Sequence, residues 1–146
     1  MSDFRKLSDT VLASPQIGLD DIAEAKASGI RLIVNNRPDG EDPSSPQGDA
    51  IEAAAKAAGM EYLAIPVGHS GFSEVQVDEM IRALDAADGA ALAYCRSGTR
   101  STLLWALAQA KLGSAPDDIA RSAMAAGYDV GPVRPMLDML AARQSG

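Results

Sequence analysis

The chain has one cysteine, one histidine and few aromatic residues: one Trp, two Phe and three Tyr among 146 positions. A single cysteine excludes an internal disulfide and a Cys-rich zinc site, and it suits a reducing compartment. A lone histidine does not make a metal site. With aromatics at 4%, a core has to be assembled mainly from Ala, Leu, Ile, Val and Met. No apolar run reaches the roughly eighteen residues of a transmembrane helix, and MSDFRKLSDT lacks the apolar stretch of a secretory signal. A cytoplasmic location is the expectation. The formal charge of −7 disfavours nucleic acid and anionic membranes as partners. Any anion site must therefore be local, made by a few positive groups and backbone N–H donors.

What is present suits one compact α/β domain spanning residues 1–146. A short strand is expected around Thr10–Ala13, followed by a helix over LDDIAEAKASG, with acids in its first turn and Gly29 after its end. Ile30, Leu32, Ile33 and Val34 form the compact apolar run of a buried strand. Residues 38–49, PDGEDPSSPQGD, are a loop. A helix over Ala50–Ala58 and a strand over Glu61–Val67 follow. Ser73 caps the next helix, AALAY (90–94) is a third buried strand, and a helix starts near Thr99. Two more helices are expected over Ser114–Ala126 and Gly131–Arg143. Strands alternating with helices predict a central, mostly parallel sheet flanked by helices. Ligands of such sheets bind beyond the carboxyl ends of the strands. Three loops leave those ends, 35–49, 68–72 and 95–100, and should gather on one side.

The segment AYCRSGTRS (93–101) carries the chemistry. Cys95 follows a strand. Gly98 permits a backbone turn that other residues resist. The helix after it brings the positive end of its dipole, and Arg100 offers a planar fork of donors to an oxyanion. The backbone of Arg96, Ser97, Gly98 and Thr99 then forms an anion nest with a sulfur at its floor. The same field favours the thiolate, and Ser101 is placed to hydrogen-bond it. A cysteine after a strand is otherwise a small core residue; arginines at 96 and 100 and a glycine between them favour the nucleophile.

These pieces resemble known families. GIRLIVNNRPDGE (29–41), EYLAIPVGH (61–69) and AYCRSGTRS, in that order, resemble the small dual-specificity phosphatases, and the Cys loop also resembles rhodanese-type sulfurtransferases. The chain is most similar to the bacterial DUF442 family of phosphatase-like domains, among them beta-lactamase hydrolase-like proteins. The resemblance implies a cysteine-phosphatase-like fold and needs no cofactor. Some members of that family are fused to a persulfide dioxygenase, which implies sulfur metabolism and a possible dioxygenase partner.

Two departures from the phosphatase pattern shape the functional expectation. Tyr94 stands where the phosphatase loop has His, and four residues, not five, separate Cys95 from Arg100. A tighter loop suits a sulfur atom or small sulfur oxyanion. His69 occupies the place of the usual Asp acid, and an imidazolium can serve there. Sulfite and thiolate leaving groups need little acid help. The sequence therefore predicts a sulfurtransferase using a Cys95 persulfide, with thiosulfate or a persulfide as donor. The alternatives are a phosphatase that forms a phosphocysteine and cleaves a phosphate ester, and a weakly active anion-binding or partner module. Arg37 and Glu41 fit either a loop that shapes the pocket mouth, with Arg37 on the anion, or a surface ion pair. Arg96 attracts the substrate or points to solvent.

Overall fold

Strands β1 (Arg5–Lys6), β2 (Val11–Ser14), β3 (Ile30–Asn35), β4 (Glu61–Ala64) and β5 (Ala90–Tyr94) form one sheet in the order β1-β2-β5-β3-β4. This computed structural model describes residues 2–68 and 70–145. All pairings are parallel except β1 with β2. The expected mostly parallel sheet is therefore present, with an antiparallel edge that the sequence did not announce.

Side chains of β5 alternate between two cores. Ala91 and Ala93 enter one cluster, Leu92 and Tyr94 the other. On β3 a register shift between Ile30 and Leu32 precedes the same alternation, with Leu32 and Val34 on one side and Ile33 on the other. Helices α1 (Asp21–Ala27) and α2 (Gly48–Ala57) supply Ile22, Ala25, Ile51 and Ala55 to the second cluster. Helices α3 (Glu74–Ala86), α4 (Thr99–Lys111), α5 (Pro116–Ala125) and α6 (Arg134–Ser145) cover the first. Helix α4 is buried almost all round, from Ser101 to Ala108 and again at Ala110, which is why it reads as Ala- and Leu-rich rather than amphipathic.

Local chemistry sets where elements start and stop. Ser73 and Gln76 form a reciprocal capping box at the start of α3, and Gln76 also donates to the Pro66 carbonyl at 2.9 Å. That bond ties the helix to the segment leaving β4. Strand β4 ends at Ala64, short of the expected Val67, while the Ile65 and Val67 N–H groups still donate to the Asn35 and Asn36 carbonyls at 2.9 and 3.0 Å. The last helix begins three residues later than expected, since Gly131–Val133 make a 3₁₀ turn before it. No helix among the described residues is long and apolar enough to cross a membrane.

Candidate active site

The carboxyl ends of β2, β5 and β3 lie side by side and hold Cys95 between them. The Cys95 N–H points to the Ser14 carbonyl at 3.4 Å, and the Asn36 N–H donates to the Tyr94 carbonyl at 2.8 Å. Cys95 is a free thiol with 0% exposure. The chain then turns at Gly98, whose φ of +93° lies in the left-handed region, and enters α4 at Thr99. This turn brings the Gly98 N–H to 3.1 Å from Cys95 Sγ. The expected geometry of sulfur, turn and helix start is present.

Ser97 and Thr99 shape the outer side of the turn. The Ser97 hydroxyl donates to Thr99 Oγ1 at 2.9 Å and accepts from the Thr99 N–H at 3.3 Å. The loop is braced from outside by Gln16, whose N–H donates to the Arg96 carbonyl at 3.2 Å. Ser101 takes a different role from the one expected. It is fully buried, and its single O–H donates to Asn36 Oδ1 at 2.7 Å. Asn36 in turn donates to the Ile65 carbonyl at 2.9 Å. Ser101 thus fastens α4 to the ends of β3 and β4, and its proton is not directed to the sulfur.

Arg100 is the centre of a charged cluster. Its Nη1 donates to Glu41 Oε2 at 2.7 Å and to the Val67 carbonyl at 2.8 Å, and its Nη2 donates to Glu41 Oε1 at 2.8 Å. Arg37 Nε reaches the same Oε1 at 2.8 Å, while its Nη1 donates to Gln16 Oε1 at 3.0 Å. The Arg100 hydrogen bonds, with those of Arg37, hold the Glu41 carboxyl down at about 2. Arg100 is raised above its ordinary value, first by its hydrogen bonds to Glu41. The Arg37–Glu41 pair is therefore local in sequence yet part of the site, because the same carboxylate holds Arg100.

Arg37, Glu41, Gly68, Arg96 and Arg100 line a cleft of about 270 Å³. The three loops expected to converge contribute to it together. Arg96 is exposed at its rim, and no ion pair is formed by it among the described residues. His69, expected as an acid, lies outside the described residues. Tyr94 packs with Ile33 and Leu92 in the α1–α2 core, and burial pushes its phenol well above the ordinary range. Tyr128 belongs to the site without having been expected there: its hydroxyl donates to the Ser97 carbonyl at 3.0 Å. Among the described residues no three His, Cys, Asp or Glu side chains converge as a metal site.

A cysteine at the end of the central strand of a mostly parallel sheet, with an arginine opening the next helix, defines a cysteine-phosphatase-like protein. Residues 3–112 match the family described as beta-lactamase hydrolase-like protein, phosphatase-like domain, and the chain belongs to that family. A beta-lactamase hydrolase-like protein of Xylella fastidiosa (strain Temecula1) is 34% identical over 126 residues, covering 86% of this chain and 29% of the relative. One from Agrobacterium fabrum is 36% identical over 101 residues, covering 69% of this chain and 23% of the relative. The chain spans under a third of the length of these relatives. A Neisseria meningitidis protein provisionally named a phosphatase superposes with a TM-score of 0.84 at 33% identity, over 94% of this chain and 98% of that one. Tk-PTP in its active form gives 0.73 at 18% identity over 97% of both chains, a likeness of fold alone. The family and the fold are thus phosphatase-like.

Proposed function

We propose that the chain is a cysteine-dependent phosphatase acting on phosphate monoesters. The observation that carries this reading is Cys95 Sγ at 3.1 Å from the Gly98 N–H, on the turn that opens α4 and leads to Arg100, which lines the adjoining cleft together with Arg37 and Arg96. The Cys95 thiolate attacks phosphorus from below. The S–P bond forms as the bond to the ester oxygen breaks, and that oxygen leaves with the bonding electrons. Arg100 and the N–H groups at the start of α4 hold the equatorial oxygens, where charge is greatest in the transition state. Water then attacks the phosphocysteine, the S–P bond breaks, inorganic phosphate leaves and the thiolate is restored.

Proton supply narrows the substrate. Glu41 stays ionised at neutral pH because two guanidiniums hold it, so it does not protonate the leaving oxygen. We assign that task to His69, next in the chain to cleft-lining Gly68. Esters of acidic alcohols, such as aryl phosphates, depart without such help and are the preferred class.

Hydrolysis of p-nitrophenyl phosphate by the purified chain, abolished in Cys95→Ser, is the expected result. A phosphocysteine trapped by acid quench and located at Cys95 by mass would add to it. Absence of hydrolysis, together with a reducible gain of one sulfur atom on Cys95 after exposure to thiosulfate, would replace this reading with sulfur transfer.

A further inference from the structure

We propose that Tyr128 is a positioning residue for the Cys95 nucleophile, acting through the Ser97–Gly98 peptide; this rests on reading Cys95 as the nucleophile. The carbonyl of Ser97 and the N–H of Gly98 belong to one peptide unit. In a planar trans peptide these two groups point in opposite directions. The Tyr128 hydroxyl donates to the carbonyl at 3.0 Å on one side. On the other, the N–H donates to Cys95 Sγ at 3.1 Å. A donor on the carbonyl polarises the peptide and strengthens the N–H as a donor. It also fixes the plane, so the N–H cannot swing away from the sulfur. The phenol thereby supports negative charge on a sulfur atom through an intervening peptide.

The surroundings are built for this contact. Gly98 has no side chain, and a Cβ there would stand 2.1 Å from Tyr128 Oη, so the phenol occupies the space a larger residue would need. Tyr128 is 6% exposed and held by its own N–H to the Ala123 carbonyl at 2.9 Å. The Arg5 guanidinium sits over its ring, 5.1 Å from the centroid, and makes an ion pair with Asp3. A cation on the ring face draws electron density from the phenol and improves its O–H as a donor. The cations beside this turn are thus Arg100, at the start of α4, and Arg5 behind Tyr128. Although far apart in sequence, β1 and the segment after α5 are joined to Cys95 by this line.

The test is alkylation of Cys95 by iodoacetamide, followed by intact mass from about pH 5 to pH 9, in the unaltered chain and in Tyr128→Phe. The phenylalanine keeps the ring, its packing and the stacked guanidinium, and removes only the hydroxyl. Below neutral pH the variant should react about three- to tenfold more slowly. Its pH profile should move to higher pH, and the two rates should converge in alkali. An unmoved profile, or a rate changed equally at every pH, would overturn the proposal, since a packing role alone gives one of those. If Tyr128→Phe fails to fold, Arg5→Gln keeps the phenol and weakens it as a donor. A smaller displacement in the same direction is then expected, and none would overturn the proposal. The readout needs no phosphate ester, so a failure of the phosphatase reading appears separately, as absent p-nitrophenyl phosphate hydrolysis.

Discussion

Arg100 turns both terminal nitrogens onto Glu41, at 2.7 and 2.8 Å, across 59 positions of sequence. A guanidinium gripped in this bidentate way has few rotamers left, and a third bond to the Val67 carbonyl removes most of the rest. The fork that the proposed mechanism sets on the substrate anion is therefore held in place beforehand.

Replacing Glu41 by Gln should separate orientation from charge. The fork loosens, so kcat for p-nitrophenyl phosphate should drop by about tenfold or more. The cleft also gains positive charge, so KM should stay level or fall. A higher KM at unchanged kcat would instead place Glu41 in contact with the substrate.

The same carboxylate predicts an acid response. Glu41 sits at about 2 in the folded chain against an ordinary 4.5. Its folded value lies below its unfolded one, so its stabilisation is complete above about pH 4.5 and is lost as pH falls toward 2. Asp42, held at about 2 by the Ser44 and Ser45 hydroxyls, titrates in both proteins and cancels in the comparison. Thermal melts between about pH 5 and pH 3 should therefore show a steeper loss for the unaltered chain than for Glu41→Gln. Parallel curves would contradict the pairing.

Gly98→Ala should be severe. The residue would need φ of +93°, and its Cβ would meet Tyr128 Oη. Backbone strain alone costs about 1–3 kcal/mol. The turn would have to open, and the N–H contact to the sulfur with it, so both melting temperature and aryl-phosphate turnover should fall. Retained turnover in a stable protein would mean that the turn is not needed in this form.

Ser101→Ala leaves Asn36 Oδ1 without its O–H donor in a fully buried place. A loss of about 1–3 kcal/mol in denaturant unfolding is expected. Alkylation of Cys95 should keep its pH profile, because the Ser101 O–H is donated to Asn36 Oδ1. A displaced profile would restore the direct role first expected for this hydroxyl.

For His69→Ala, the contrast lies between substrates. Turnover of an alkyl phosphate should fall by about 10²-fold or more, and that of p-nitrophenyl phosphate far less. Equal losses on both would remove His69 as the proton donor.

Much of this arrangement could be read in the residues. The apolar runs of β3 and β5 and the pattern CRSGTR located the sheet centre, the turn and the helix start after Cys95, because each depends on near neighbours in sequence. Strand β1 is two polar residues and exists only through its pairing with β2. Glu41 looked like a local partner of Arg37, since nothing nearby indicates that residue 100 shares it. Ser101 looked free to face the sulfur because Asn36, 65 positions away, becomes its acceptor only after folding. Tyr128 carries no signal at all in its own segment. Its role follows from the packing of α5 on α4, which brings it over Gly98. The short loop suggested sulfur chemistry by size alone, whereas the family and fold are phosphatase-like.

The cleft at the strand ends sets Arg37, Arg96 and Arg100 against a single carboxylate, within a chain of formal charge −7. The cleft is a local concentration of positive charge on a chain that is negative overall. A small anion meets repulsion over most of the surface and attraction at the mouth, so capture is directional and weakens as salt shortens the range of the field.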